Sequence, residues 1–344
     1  MAIKTVPFTR GVNFSKWFEF RSVEEIQFGR FNEQDFGDIK SIGGEVIRLP
    51  MAIHNFTNGD PDYIIDPVFM KYLDTAVEWA EKNGLYIILD NHSFHPINPT
   101  DVNIDKILVP VWQQLARHFK DKSDYVLYEV LNEPHHIEDE RWGEIQGETI
   151  DAIRKIDPKH TIIVGGTDYN SIDKLFKIPA YTDSNLIYTF HFYDPHIFTH
   201  QGATWGNPSL ASLKGVPFPA EKNRIPSVPA DLKDTWVKKA LEDYEKSAAL
   251  ETLFATLDKA SCFSKERGVP VFCGEFGVFM IQSPEEDRVR WYKVICDALK
   301  ERDISWTSWD YFGGFGIFKT DRKGDFKTDV NTDVLCAMGF SSSV

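Results

Sequence analysis

The stretch Leu127–His136, LYEVLNEPHH, is the segment on which the fold turns: an apolar and aromatic run that ends on an acid and is stopped by Pro134. Such a run has the form of a strand covered on both faces. Similar β-branched or aromatic runs lie at Gly11–Phe14, Glu45–Leu49, Tyr86–Asp90, Thr161–Gly165, Leu186–Tyr193, Val271–Glu275 and Ser305–Asp310. With Val126–Asn132 they make eight candidate strands, none strictly alternating, as expected of parallel strands under helices. Helical patterns separate them, and their ends are legible. Asp66-Pro67 supplies an N-cap and a proline at the first helical position. Phe69, Leu73, Ala76, Val77 and Ala80 then recur at helical spacing until Asn83-Gly84. Ser283-Pro284-Glu285-Glu286 opens another helix with Trp291, Ile295 and Leu299 on one face. Strand–helix alternation from end to end, without a break in composition, predicts the α/β class. The expected architecture is a single (β/α)8 TIM barrel over residues 1–344.

One segment interrupts the rhythm. From His196 to about Lys246 the chain carries Pro208, Pro217, Pro219, Pro226 and Pro229 before helical character returns. Its length and position predict an extended loop or subdomain insertion, about 196–246, after strand 6, where it shapes the cleft.

The chain has 344 residues, 42% hydrophobic and 14% aromatic, enough to bury a large core. A formal net charge of −14 leaves no cationic surplus to neutralise a polyphosphate or an anionic membrane, so neither nucleic acid nor membrane is an expected partner. No run approaches the ~20 apolar residues of a membrane span. MAIKTVPFTRGVNF lacks the apolar core and cleavage site of a signal peptide. The chain therefore reads as soluble and unexported, or equally as the trimmed form of a secreted protein. Cys262, Cys273, Cys296 and Cys336 form no CxxC pair and sit in apolar contexts. They are expected to be small buried hydrophobes rather than disulfide or metal ligands.

In barrels of this kind the reactive groups lie at the C-terminal ends of the strands. The polar residues there are Arg48, Asp90, His92, Asn132, Glu133, His191, Tyr193, Glu275, Trp309 and Asp310. Glu133 closes strand 4, and VFCGEFG places Glu275 at the matching point of strand 7, so two carboxylates face one cleft. Such a pair suits glycosidic bond cleavage, in which one acid protonates the leaving oxygen and the other meets the developing oxocarbenium ion. Their environments must differ. Arg48 is positioned to hold Glu275 ionised, whereas Glu133 has no cationic neighbour within its own motif. Trp17, Trp205 and Trp309 fall in loops or strand ends where aromatic platforms for sugar rings belong. Trp79 and Trp291, on helical faces, read as packing. His135-His136 border the cleft, and Glu138-Asp139-Glu140 form an acidic first helical turn. His191, His196 and His200 lack a metal-ligand spacing, and Gly313-Gly314-Phe315-Gly316 lacks the Lys and Ser/Thr of a phosphate loop. No cofactor and no metal are expected.

Taken in order, LNEP (Leu131–Pro134), HFY (His191–Tyr193), FTHQGATW (Phe198–Trp205), GEFG (Gly274–Gly277) and Trp309 resemble glycoside hydrolase family 5, particularly its bacterial β-1,4-glucanases, the cellulases. The resemblance runs from Gly11-Val12-Asn13 to beyond Trp309. It implies a retaining endo-β-1,4-glucanase acting on cellulose-type or mixed-linkage glucans. Glu133 would be its acid/base and Glu275 its nucleophile. By the same resemblance, Asn132 would contact the sugar 2-hydroxyl, Arg48 and Tyr193 would position Glu275, His92 and His191 would complete the polar floor, and Trp309 would stack under the sugar. Two departures stand out. Family members often carry adjacent histidines at the end of strand 3, where this chain has His92-Ser93, with His95 as the nearest replacement. The insertion after Trp205 is also longer than in the simplest members. Alternatives are an endo-β-1,4-mannanase or glucomannanase, a β-1,3-glucanase of the same family, or a non-catalytic carbohydrate-binding barrel. The expected partner is a β-glucan polysaccharide or oligosaccharide, bound by a monomer.

Overall fold

The computed structural model describes residues 5–341. Eight parallel strands close into a barrel in chain order: β1 Arg10–Asn13, β2 Val46–Met51, β3 Tyr86–Asn91, β4 Val126–Glu129, β5 Thr161–Gly165, β6 Leu186–Phe192, β7 Val271–Phe276 and β8 Ser305–Ser308. Every expected strand is present, and the differences lie at the ends. β4 stops at Glu129 because its ladder with β5 ends there. Beyond it single backbone bonds carry the chain, with Val130 N donating to Ile163 O and Asn132 N to Asn91 O. A strand leaving its ladder at this point can turn its acid into the cleft.

The helices that clothe the barrel are α1 Glu33–Ser41, α2 Pro67–Lys82, α3 Asp105–Phe119, α4 Asp139–Arg154, α5 Ile172–Leu175, α6 Leu250–Arg267, α7 Glu285–Glu301 and α8 Thr332–Ala337. In α2 the Asp66 side chain accepts from Val68 N at 2.7 Å, and Phe69, Leu73, Ala76, Val77 and Ala80 face inward, as their spacing predicts. α4 begins in the acidic run at Asp139. Among the described residues no helix is long and apolar enough to cross a membrane.

The barrel interior is layered. Phe8, Val46, Ile88, Leu127, Ile163, Ile187 and Phe272 form an apolar plug. Because strand side chains alternate, the residues two positions on from Val46, Ile88 and Leu127 point the same way one layer higher. These are Arg48, Asp90 and Glu129. The plug thus closes the bottom, and a charged floor lies above it.

The segment between β6 and α6 differs from the loop expected there. It contains short helices at His196–Thr199, Trp236–Glu242 and Tyr244–Ser247, and it buries Leu210, Leu213, Val216, Phe218, Leu232 and Val237. Gln201, itself buried, braces it by donating to Phe198 O and Val216 O and accepting from Val216 N. Apolar side chains spaced along the segment join it to the main hydrophobic core of the barrel and its helices. The cysteines divide likewise: Cys273 and Cys296 are buried, but Cys262 and Cys336 are exposed, contrary to the expectation for all four. Cys262 donates instead to Glu266 on the outer face of α6.

Candidate active site

The floor is organised by Arg48, which is wholly buried. Its Nε and Nη2 donate to the two oxygens of Glu129 at 2.7 and 2.9 Å, and Nη2 also reaches Asn132 Oδ1 at 2.8 Å and Asp90 Oδ2 at 3.0 Å. Nη1 donates to Asn13 Oδ1 at 2.9 Å and Glu275 Oε1 at 2.7 Å. Burial alone would lower the guanidinium's pKa. The surrounding Asp90, Glu129 and Glu275 reverse this and hold it well above its ordinary value. Planar, multiply donating geometry of this kind is what arginine supplies and lysine does not.

Glu275 is held at both oxygens. Arg48 takes Oε1, and the Tyr193 hydroxyl donates to Oε2 at 2.9 Å. Its placement depends on a β-bulge: Phe190 pairs with Cys273, but the next residue, His191, pairs with Glu275, leaving Gly274 as the extra residue in β7. A Cβ on Gly274 would sit 2.8 Å from Thr189 Oγ1 and 3.2 Å from His191 Nε2, so only glycine fits unperturbed.

Glu133 follows β4 in the left-handed region, with φ 46°. His191 Nδ1 lies 2.7 Å from Glu133 Oε1 and 3.6 Å from Glu275 Oε2, spanning the two acids. Burial lowers the His191 pKa to about 4, leaving a neutral ring with Nδ1 against the Glu133 carboxyl. Its Nε2 faces the buried Asn170 amide at 3.4 Å. Asn170 ends a left-handed run, Asp168–Tyr169–Asn170, with φ of 55°, 60° and 54°. Burial also pushes the Glu133 carboxyl up to about 7, against the opposing pull of His92 and Arg48.

His92 Nδ1 bonds Asp90 Oδ2 at 2.7 Å. Burial opposes a charge on this ring, yet Asp90, with Glu19 and Glu275 beyond it, raises it to about 9. Trp309 stacks on the ring at 5.5 Å and 14° between planes. Asp310, next along, accepts from Ser15, and burial raises it to about 7.

Not every expected residue reaches the cleft. Trp17, which follows Lys16 at φ 58°, is fully buried and stacked on Phe18 and Trp79. It is not a platform. Trp205 is 42% exposed, near Phe279 and Phe315. His95 does not replace the missing second histidine, since its Nδ1 accepts from the backbone of Ile97 and Asn98 in its own loop. His135 is buried, its Nδ1 against Glu133 O and its ring stacked on Tyr169. Glu129 and Asn13, the last residues of β4 and β1, also belong to the floor, although neither is among the residues expected from the sequence. The signal for Glu129 is the alternation that places it above Leu127. Glu133, His191 and Glu275 bring donor atoms within 4.8 Å of one another, the reach of a metal site. Those atoms are already paired with each other, Arg48 and Tyr193, and His196 and His200 stack together at 4.0 Å apart from this group.

The chain is similar to known proteins over most of its length. The model of the cellulase family, glycosyl hydrolase family 5, matches residues 10–313. Endoglucanase 3 of Fibrobacter succinogenes is 30% identical over 91% of this chain, which spans about half, 51%, of that relative's length. Endoglucanase C of Acetivibrio thermocellus is 29% identical, with 92% of this chain and 95% of the relative covered. Among solved structures, endoglucanase Cel5A of Thermotoga maritima superposes with a TM-score of 0.79 at 27% identity over 96% of each chain. The same protein in complex with mannotriose substrate gives 0.78 at 26% identity, over 96% of this chain and 97% of that one.

Proposed function

The chain belongs to glycosyl hydrolase family 5 and is a hydrolase of the endoglucanase type, and from that premise we propose that it cleaves internal β-1,4-glucosidic bonds by double displacement with retention. The observation that carries this reading is the separation of the acids: one oxygen of Glu133 and one of Glu275 lie within 4.8 Å. Retaining sites hold their carboxyl groups about 5–5.5 Å apart, whereas inverting sites leave about 6.5–9.5 Å for a water molecule. In this mechanism Glu275, held by Arg48 and Tyr193, attacks the anomeric carbon while Glu133 delivers its proton to the departing glycosidic oxygen. Water then enters, Glu133 takes up its proton, and the glycosyl–Glu275 ester opens with a second inversion. A carboxyl raised to about 7 suits the first role and, once ionised, the second. Asn132, fixed by Arg48, meets the sugar 2-hydroxyl, and Trp309 stacks beneath the ring.

The substrate class follows from these uncharged contacts: a neutral β-glucan, with mixed-linkage glucan and glucomannan also cleaved. Mannan is the second reading, because the similar Thermotoga maritima protein is described with mannotriose. Sugar release from carboxymethyl cellulose, mixed-linkage β-glucan, glucomannan, mannan and laminarin tests both. Hydrolysis of mannan and laminarin, with every β-1,4-glucan untouched, would sink the glucanase assignment.

A further inference from the structure

We infer that the cleft extends past Tyr193 along a row of rings ending at Trp236, and that this row binds a distal part of the glucan chain. The inference rests on the β-glucan reading above and adds to it a binding surface built by the segment between β6 and α6.

The row is continuous. Tyr193, the donor to Glu275, packs edge-on against His200 at 4.9 Å. His200 stacks on His196 at 4.0 Å with 21° between planes, and His196 lies 5.8 Å from Trp236. Trp205 flanks the row, 6.2 Å from His200. Its outer members are open: Trp236 is 44% exposed, much as Trp205 is, and His196 is exposed. Trp17, Trp112, Trp142 and Trp291, by contrast, are sealed in the interior. A single exposed indole is unremarkable, but two in one segment, bordering one row of rings that begins at the catalytic pair, form a surface suited to a ligand.

The row is also firmly presented. Trp236 opens the helix Trp236–Glu242, whose Thr235 side chain accepts from Val237 N at 3.3 Å. Val237 is fully buried and anchors that turn, while its neighbour Trp236 faces outward. The chemistry matches a sugar chain. An indole face takes the CH face of a pyranose ring, and imidazole edges exchange hydrogen bonds with hydroxyls. Burial holds His200 well below its ordinary pKa, so that ring meets the ligand uncharged. A polymer leaving the reaction centre on the Tyr193 side meets this row next, which favours glucan over an unrelated protein partner.

The test is a chain-length series. kcat/KM of Trp236→Ala is compared with the unaltered enzyme on an aryl cellobioside, on cellotriose to cellohexaose, and on mixed-linkage β-glucan. The expected result is a loss of about tenfold on the longest oligosaccharide and the polymer, the scale of one truncated aromatic contact, with the aryl cellobioside little changed. Trp236→Phe should recover most of the loss, and His196→Ala should reproduce its length dependence. Equal kcat/KM at every length, or an equal drop on the aryl cellobioside, overturns the inference. Failure of the underlying glucan reading is seen separately, as an unaltered enzyme inactive on every β-1,4-glucan, and that result removes the inference with it.

Discussion

His191 Nδ1 stands 2.7 Å from Glu133 Oε1, and burial moves the two groups in opposite directions, the imidazole down to about 4 and the carboxyl up to about 7. Over the interval between those values the ring is neutral and the acid keeps its proton, the state required of a proton donor.

A pH profile follows. A raised carboxyl pKa means the proton is held below about pH 7 and lost above it, so kcat/KM on glucan should fall as pH rises through about 7. In Glu133→Gln, assayed on a dinitrophenyl cellobioside whose leaving group needs no protonation, this alkaline limb should vanish from the first chemical step. A limb unchanged in the variant would assign it to another group.

The two acids should separate by stereochemistry. With Glu133→Ala and an activated donor, the intermediate still forms, and azide, which needs no general base, should open it to a β-glycosyl azide. With Glu275→Ala no intermediate forms, and azide entering from the opposite face should give the α product. NMR showing the reverse pattern would mean the roles are exchanged.

Arg48→Lys should be severe despite conserving charge. One ammonium cannot satisfy Glu129, Asp90, Asn132, Asn13 and Glu275 together, and leaving buried carboxylates unpaired costs about 3–5 kcal/mol. Denaturant unfolding should report a loss of that order, with kcat reduced at least ~100-fold. A variant within about 1 kcal/mol of the parent would contradict the central place given to this residue.

Gly274→Ala should harm activity more than its one methyl suggests. The new Cβ would lie 2.8 Å from Thr189 Oγ1, which must shift, and 3.2 Å from His191 Nε2, which must give by a few tenths of an ångström in the ring that contacts Glu133. A stability loss of about 1–3 kcal/mol is expected, together with a fall in kcat of at least ~10-fold. Thermal unfolding and steady-state kinetics check this, and normal kcat would show that His191 tolerates displacement.

Much of this was legible because apolar runs mark parallel strands, and strand ends in such barrels mark chemistry. Arg48 on Glu275 and the pair Glu133/Glu275 both follow from that logic. What escaped was set by tertiary contacts. Trp17 sits where a platform would, but Phe18, Phe31, Phe36 and Trp79, some of them distant in sequence, close over it. Glu129 hides within an apolar run, its purpose visible only once Arg48 lies across the barrel from it. His191 reaches Glu133 from 58 residues away, a contact no local pattern carries. The prolines between Pro208 and Pro229 suggest a loop, while the scattered apolar residues among them join the main core.

The bulge in β7 sets a parity. Below it the strand alternates evenly, Phe272 facing the axis and Cys273 the helices, and continued evenly the count would give Gly274 inward, Glu275 outward and Phe276 inward. The extra residue reverses the count, so that Glu275 points to the axis and Phe276 to the helices. The direction of Glu275 is therefore a matter of odd and even rather than of any side chain's preference. A chain that kept Gly274 but paired it in even register, without the bulge, would keep its glutamate and misdirect it, with a phenyl ring standing in the cleft and a carboxylate stranded in the oil outside it.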